Sequence, residues 1–200
     1  MMKPKENRIA QAPRVEEVKT VFRGALTIEE ARIKRFNSKD EPVSYSRQRI
    51  NRVDASAVFI YNKDSGAVVL TRQFRYAIVD KVKAPILEIM AGKVDPGESP
   101  SQTALRESLE ECGYRISPEK LIHLVSVFAS PGYTAEKYHL FYAEVASSDK
   151  LTEGGGLENE NEDIEVVEMP LAEFQTMVSE GLLEDSKTLL AYYCSTGFIG

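Results

Sequence analysis

The chain has 200 residues, 42% apolar and 28% charged, the composition of one globular domain with room for a small appendage. Two cysteines, Cys112 and Cys194, cannot build a disulfide framework and fit a reducing compartment, so a cytoplasmic location is expected. No stretch approaches the roughly 18 apolar residues of a membrane span, and the charged start MMKPKENRIAQAP lacks the apolar core of a secretory signal. Secreted, membrane and collagen-like classes are therefore not expected.

The net charge of −6 is unevenly spread: residues 1–52 carry 13 Lys/Arg against 7 Asp/Glu, and residues 53–200 carry 12 against 24. A long polyanion needs a basic field to neutralise its phosphates, so the acidic bulk argues against nucleic acid. It suits a site that gathers divalent cations, which then receive a small anionic substrate.

In chain order, residues 1–14 read as a polar, disordered tail. Val18–Phe36 and Val43–Val53 alternate imperfectly and read as strands, with a turn over residues 37–42. Ser56–Tyr61 and Ala67–Thr71 form a hairpin around Asp64-Ser65-Gly66, and Ile86–Met90 is a short strand. Ser99–Cys112 is the clearest helix: Ser99 as N-cap, Pro100 at the first position, Gln102 as capping-box partner and Gly113 as left-handed stop. Strands follow at Leu121–Phe128, Tyr138–Val145 and Ile164–Met169, then helices at Leu171–Glu180 and Lys187–Tyr193. Strands before, between and after helices, without regular alternation, predict an α+β fold with a mixed sheet.

At about 100° per residue, Glu107, Glu110 and Glu111 share one arc of the helix, with Leu105, Leu109 and Cys112 opposite. That pattern predicts a buried leucine face and an outward acidic one. Like charges at these spacings repel by about 0.2–0.5 kcal/mol per pair, and only Arg106 stands at the edge of the arc. A plain solvated acidic face would explain this; so would a cation, and hard carboxylate oxygens suit Mg²⁺, with Mn²⁺ as the alternative.

From Gly92 the chain reads G-KVDPG-E-SPSQTAL-RE-S-L-EE-C-G-Y, which resembles the Nudix box. Gly92, Glu98, Arg106, Glu107, Glu110, Glu111 and Gly113 stand at its fixed spacings, while Ser108 and Tyr114 depart at apolar positions. The resemblance spans about Val18–Tyr193 and points to the ADP-ribose/GDP-mannose pyrophosphatase branch. It implies an α/β/α sandwich over residues 54–200, preceded by antiparallel strands over 15–53 that serve a homodimer. It also implies metal ligands at Ala91 (main chain), Glu107 and Glu111, with Glu110 binding directly or through water. Glu98 would pair with Arg106 and steady the loop after Gly92.

Outside the box, Arg72-Gln-Phe-Arg75 resembles the branch's substrate-contacting element and places Arg75 on the pyrophosphate. Arg72 reads as a strand-end charge. Glu136, after Ser130-Pro131-Gly132, and Arg47 and Arg49 in the basic N-terminal strands, are further substrate-side candidates; Glu88 matches the branch as an inward strand residue. The run Gly154–Gly156 opens a segment, Leu151–Ser186, with 11 Asp/Glu and no Lys or Arg. Alone it reads as a flexible solvated loop. By resemblance it supplies a general base and extra metal ligand, Glu160, with Glu158 and Glu162 two residues either side as alternatives. The three glycines and Lys187 resemble the GDP-mannose members. The implied activity is metal-dependent cleavage of a nucleoside diphosphate sugar. A non-catalytic nucleotide-sugar sensor and an RNA-directed pyrophosphatase are the competing readings. His123 and His139 are expected to be structural, with no Ser-His-Asp triad and no zinc site.

Overall fold

The protein is described from a computed structural model covering residues 12–82, 84–156 and 163–199. The chain forms two compact units, one running to Arg52 and taking in Ala129–Glu136, the other made of Val53–Phe128 and the chain from Lys137 onward.

The first unit is an antiparallel sheet in the order β1 (Arg14–Arg23), β2 (Thr27–Phe36), β3 (Pro42–Asn51). The single strand expected over Val18–Phe36 is thus two strands. Gly24 breaks it, its N–H bonding Leu26 O at 2.9 Å, where a Cβ would press on the Phe22 ring. The turn expected over residues 37–42 is present, held by Asn37 Oδ1, which accepts from the N–H groups of Lys39 and Glu41. β1 begins at Arg14, and residues 1–11 of the expected tail lie outside the described ones. Ile50 N–H donates to Tyr133 O at 2.7 Å, and Arg52 pairs with the buried Glu136 at 3.3 Å.

The second unit is built on a mixed seven-stranded sheet. Its path is β10 (Glu165–Pro170), β5 (Ala67–Gln73), β4 (Ala55–Asn62), β9 (Lys137–Val145), β8 (Ile122–Phe128). β6 (Ile86–Glu88) pairs with β5 and β7 (Ala91–Lys93) with β4. The expected strand over Ile86–Met90 stops at Glu88, and Ala91–Lys93 crosses to another neighbour. β4 and β9 run parallel and the other pairs antiparallel. Val58, Phe59 and Ile60 on β4, and Val68, Val69 and Leu70 on β5, are fully buried, as strands covered on both faces require. One face packs on α1 (Pro100–Cys112), the other on α2 (Leu171–Ser179) and α3 (Ser186–Ser195). This is the expected α+β sandwich. No helix among the described residues is long and apolar enough to cross a membrane.

α1 carries the expected caps. Ser99 Oγ accepts from Gln102 N–H, Gln102 Oε1 accepts from Ser99 N–H, and Gly113 turns left-handed at φ 77°. Its buried side only partly matches the expected leucine face: Cys112 is buried and Leu105 packs against the core, but Thr103, Ala104, Ser108 and Glu111 also face inward and Leu109 is half-exposed. Small Ala104 and Ser108 let the helix sit close to the sheet, and Ser108 Oγ satisfies itself on Ala104 O at 2.7 Å. The turn that carries Glu107 and Glu111 is thereby brought against β7.

The glycine run closes the other end of α1. Gly155 N–H donates to Glu111 O at 2.9 Å and Gly156 N–H to Glu110 O at 3.2 Å, supplying partners to carbonyls that a helix end leaves unpaired. Gly154, Gly155 and Gly156 all have positive φ, and a Cβ on Gly154 would collide with Glu111 O. These glycines are therefore a fitted seam and not a solvated spacer. Gly154→Ala is expected to cost about 1–3 kcal/mol, read as a lower thermal midpoint, whereas Gly132→Ala, which meets open space, leaves the midpoint nearly unchanged.

Candidate active site

The loop from Gly92 to Glu98 is tied to α1 by one guanidinium. Arg106 Nε donates to Glu98 Oε1 at 3.2 Å and Nη2 to Glu98 Oε2 at 3.1 Å, while Nη1 donates to Glu107 and Glu110, each at 2.9 Å. Glu98 also accepts from Thr103 Oγ1 at 2.7 Å. The bond to Glu98 first, then the charges of Glu107 and Glu110, outweigh partial burial and raise the Arg106 pKa. Arg106 and Thr103 in turn hold the Glu98 carboxyl below its ordinary range.

The two carboxylates one turn apart meet the strand. Glu111, buried, accepts from Ala91 N–H at 3.2 Å, and the Glu107 carboxylate lies where a Cβ on Gly92 would stand. Only glycine admits that approach. Glu107 and Glu111 therefore bring two carboxylates against the main chain of Ala91 and Gly92, forming an acidic cradle between β7 and α1. Among the described residues no three His, Cys, Asp or Glu side chains stand together as a ready cage. A hard cation such as Mg²⁺ keeps several waters and is held through one or two carboxylates, which fits this donor set. Glu160, the expected base and further ligand, lies outside the described residues, as do Glu158 and Glu162.

Beside the cradle runs a chain of alternating charges. Glu88, nearly fully buried at the end of β6, accepts from Arg75 Nε at 2.7 Å and Nη2 at 3.2 Å and from Lys187 Nζ at 2.9 Å. Lys187 Nζ also donates to Asp185 Oδ1 at 2.6 Å and stands 5.7 Å from the centre of the Tyr138 ring. Asp185 caps α3, accepting from the N–H and Oγ1 of Thr188, whose Oγ1 accepts from Ile89 N–H. Burial would lower the Arg75 pKa, but Glu88, with Glu111 and Asp185, raises it above its ordinary value; the influence of Glu111 couples this chain to the cradle. Lys187 is likewise raised, burial being overcome by Asp185 and Glu88.

Arg72 Nη1 donates to both carboxylate oxygens of Glu165, its cross-strand neighbour. Arg47, Arg49 and Glu136 belong to the first unit. The Arg47 guanidinium lies 4.6 Å from the centre of the Tyr45 ring, Arg49 pairs with Glu29 and Glu136 with Arg52. Asp185 escaped the sequence reading, although an acidic residue just before a helical run is an N-cap signal.

The chain matches the NUDIX domain model over residues 51–192. It is 39% identical over 153 residues to a GDP-mannose pyrophosphatase of Cronobacter sakazakii, covering 75% of this chain and 77% of that protein. It is 34% identical over 152 residues to one of Escherichia coli O1:K1, with the same coverage. Among solved structures, that of an ADP compounds hydrolase has the same fold, with a TM-score of 0.72 at 23% identity over 94% of this chain and 95% of that one.

Replacing Glu88 by Gln leaves Arg75 and Lys187 without their shared charge, and urea denaturation is expected to show a loss of about 3 kcal/mol. Lys187, its pKa raised in the fold, contributes stability that is complete below its ordinary 10.5 and lost as pH rises through the higher folded-state value. The stability gap between the parent and Lys187→Met should therefore hold at neutral pH and narrow above pH 10.5.

Proposed function

The chain belongs to the NUDIX family and is a hydrolase of it, and from that premise we propose that it cleaves the pyrophosphate of a nucleoside diphosphate sugar, GDP-mannose or ADP-ribose in type, to a nucleoside monophosphate and a sugar phosphate. The observation that carries this reading is the cradle of Glu107, Glu111 and Ala91 beside the cationic Arg75. The names of the relatives support GDP-mannose ahead of ADP-ribose.

Glu107, Glu111 and the Ala91 carbonyl would hold Mg²⁺, and Glu160 is the candidate for a further ligand. A metal held there would supply charge to offset the pyrophosphate and would lower the pKa of a water toward neutrality. Glu160 is the candidate to orient or deprotonate such a water, and Glu110, on α1, is a second candidate. Arg75 spends Nε and one Nη2 bond on Glu88, and its guanidinium offers five N–H donors in all, so it can still grip a phosphate in a fixed plane. Lys187 adds positive charge on the leaving side from behind Glu88. Arg106 and Glu98 keep the loop on the helix.

Arg47 and Glu136 read the base and sugar, the N-terminal sheet being completed by a second copy in a cytoplasmic homodimer. The exposed Val15, Val18 and Phe22 on β1 support such a covering partner.

A panel of GDP-mannose, ADP-ribose, ADP-glucose and UDP-glucose, assayed for products with and without Mg²⁺, tests the reading. Metal-dependent release of a nucleoside monophosphate is expected, reduced at least about 100-fold in Glu111→Gln. Tight binding of one nucleotide sugar without turnover would instead make the protein a sensor.

A further inference from the structure

The sequence suggests structural roles for His123 and His139, and the structure joins both to one hydroxyl. His123 and Ser126 on β8 are three residues apart, a spacing that puts side chains on opposite faces of a regular strand. β8 carries a bulge between His123 and Val125 that shifts the phase and returns both to one face. There Ser126 stands opposite His139, and His123 stands opposite Phe141, meeting its ring edge-on at 5.3 Å. Ser126 Oγ is 2.8 Å from His139 Nδ1 and 2.8 Å from His123 Nε2, and His139 Nε2 is 3.1 Å from Asp54 Oδ2.

The direction of each bond follows from Asp54. Burial would raise its carboxyl, but the Lys137 main-chain N–H and His139 outweigh that and hold it below its ordinary value, so it is an ionised acceptor. A neutral His139 that donates from Nε2 to Asp54 leaves Nδ1 to accept the Ser126 hydroxyl proton, and a His123 tautomer protonated on Nε2 then donates to the serine oxygen from the other side. Nucleophile, base and orienting carboxylate stand in series, the arrangement that activates a serine. Ser126 is solvent-exposed, so an acyl donor reaches it without rearrangement.

The geometry points to a second, metal-independent nucleophilic centre at Ser126, built from His139 and Asp54, that takes the acyl group of an activated carboxylic ester. Ser126 Oγ bonds to the carbonyl carbon as His139 Nδ1 takes the hydroxyl proton. The ester C–O bond breaks and His139 returns the proton to the departing alkoxide. Water then attacks the acyl-serine by the same route, giving the free acid and restoring Ser126. Asp54 and His123 are positioning residues, the first for the imidazole and the second for the serine oxygen. None of these groups belongs to the pyrophosphatase reading, and the proposal stands or falls apart from it.

The test uses the full chain in excess EDTA with a fluorophosphonate probe, whose phosphorus is attacked by the serine as fluoride leaves. The adduct is located by intact mass and peptide mapping. A single adduct on Ser126 is expected, absent from Ser126→Ala, retained in Glu111→Gln, and formed at least about 100-fold more slowly in His139→Gln. Asp54→Asn should slow it too and serves in place of His139→Gln if the far-UV spectrum of that variant departs from the parent. No adduct on Ser126, or an unchanged rate in a folded His139 or Asp54 variant, would overturn the proposal.

Discussion

Three carboxylates on one arc of a helix push each other and the strand beneath them apart, and the second unit is arranged around containing that repulsion. Arg106 takes Glu107 and Glu110 on one nitrogen and Glu98 on the others, while the Ala91 amide takes Glu111. Because Glu98 arrives from the loop, the cation that quiets the helix also pins the segment that shapes the cradle. Glycine at position 92 then lets the Glu107 carboxylate sit against main chain, where any side chain would exclude it. An acidic face is thus kept charged and close-packed by contacts within the protein itself.

The neighbouring chain of Asp185, Lys187, Glu88 and Arg75 solves the opposite problem, keeping positive charge beside an acidic site without letting it collapse onto the helix carboxylates. Glu88 occupies both cations from behind. Burying such groups is costly unless each has its partner, and no buried side-chain polar atom among the described residues is left without one.

Local chemistry made the active-site loop and its helix legible in the sequence: a capping box, a proline at the first helical position, a terminal glycine and acids at fixed spacing are short-range signals. What stayed hidden depends on partners far along the chain. A wheel that counts apolar area centres the buried face on Leu105, Leu109 and Cys112, whereas the helix buries small Ala104 and Ser108 beside Cys112 and keeps Leu105 at the edge of the core. Gly24 was read through as strand because its turn is set by a main-chain bond and not by a Pro or Asn. The split of β6 from β7 follows from pairing with different strands. The alignment of His123 with Ser126 needs a bulge that no alternation pattern announces.

The segment Ala129–Glu136 lies between β8 and β9 in the chain, yet it belongs to the N-terminal unit, where Tyr133 O receives Ile50 N–H. β4, in turn, lacks its parallel neighbour until β9 exists, Ala55 standing opposite Tyr138. During synthesis, therefore, neither unit can be finished early. The first must wait for residues made after most of the second, and the second is interrupted by chain it does not keep. Translation delivers the N-terminal hairpins as a waiting part that is completed as the chain passes Glu136, while the second unit still lacks β9, β10, α2 and α3 and closes only near the end of α3.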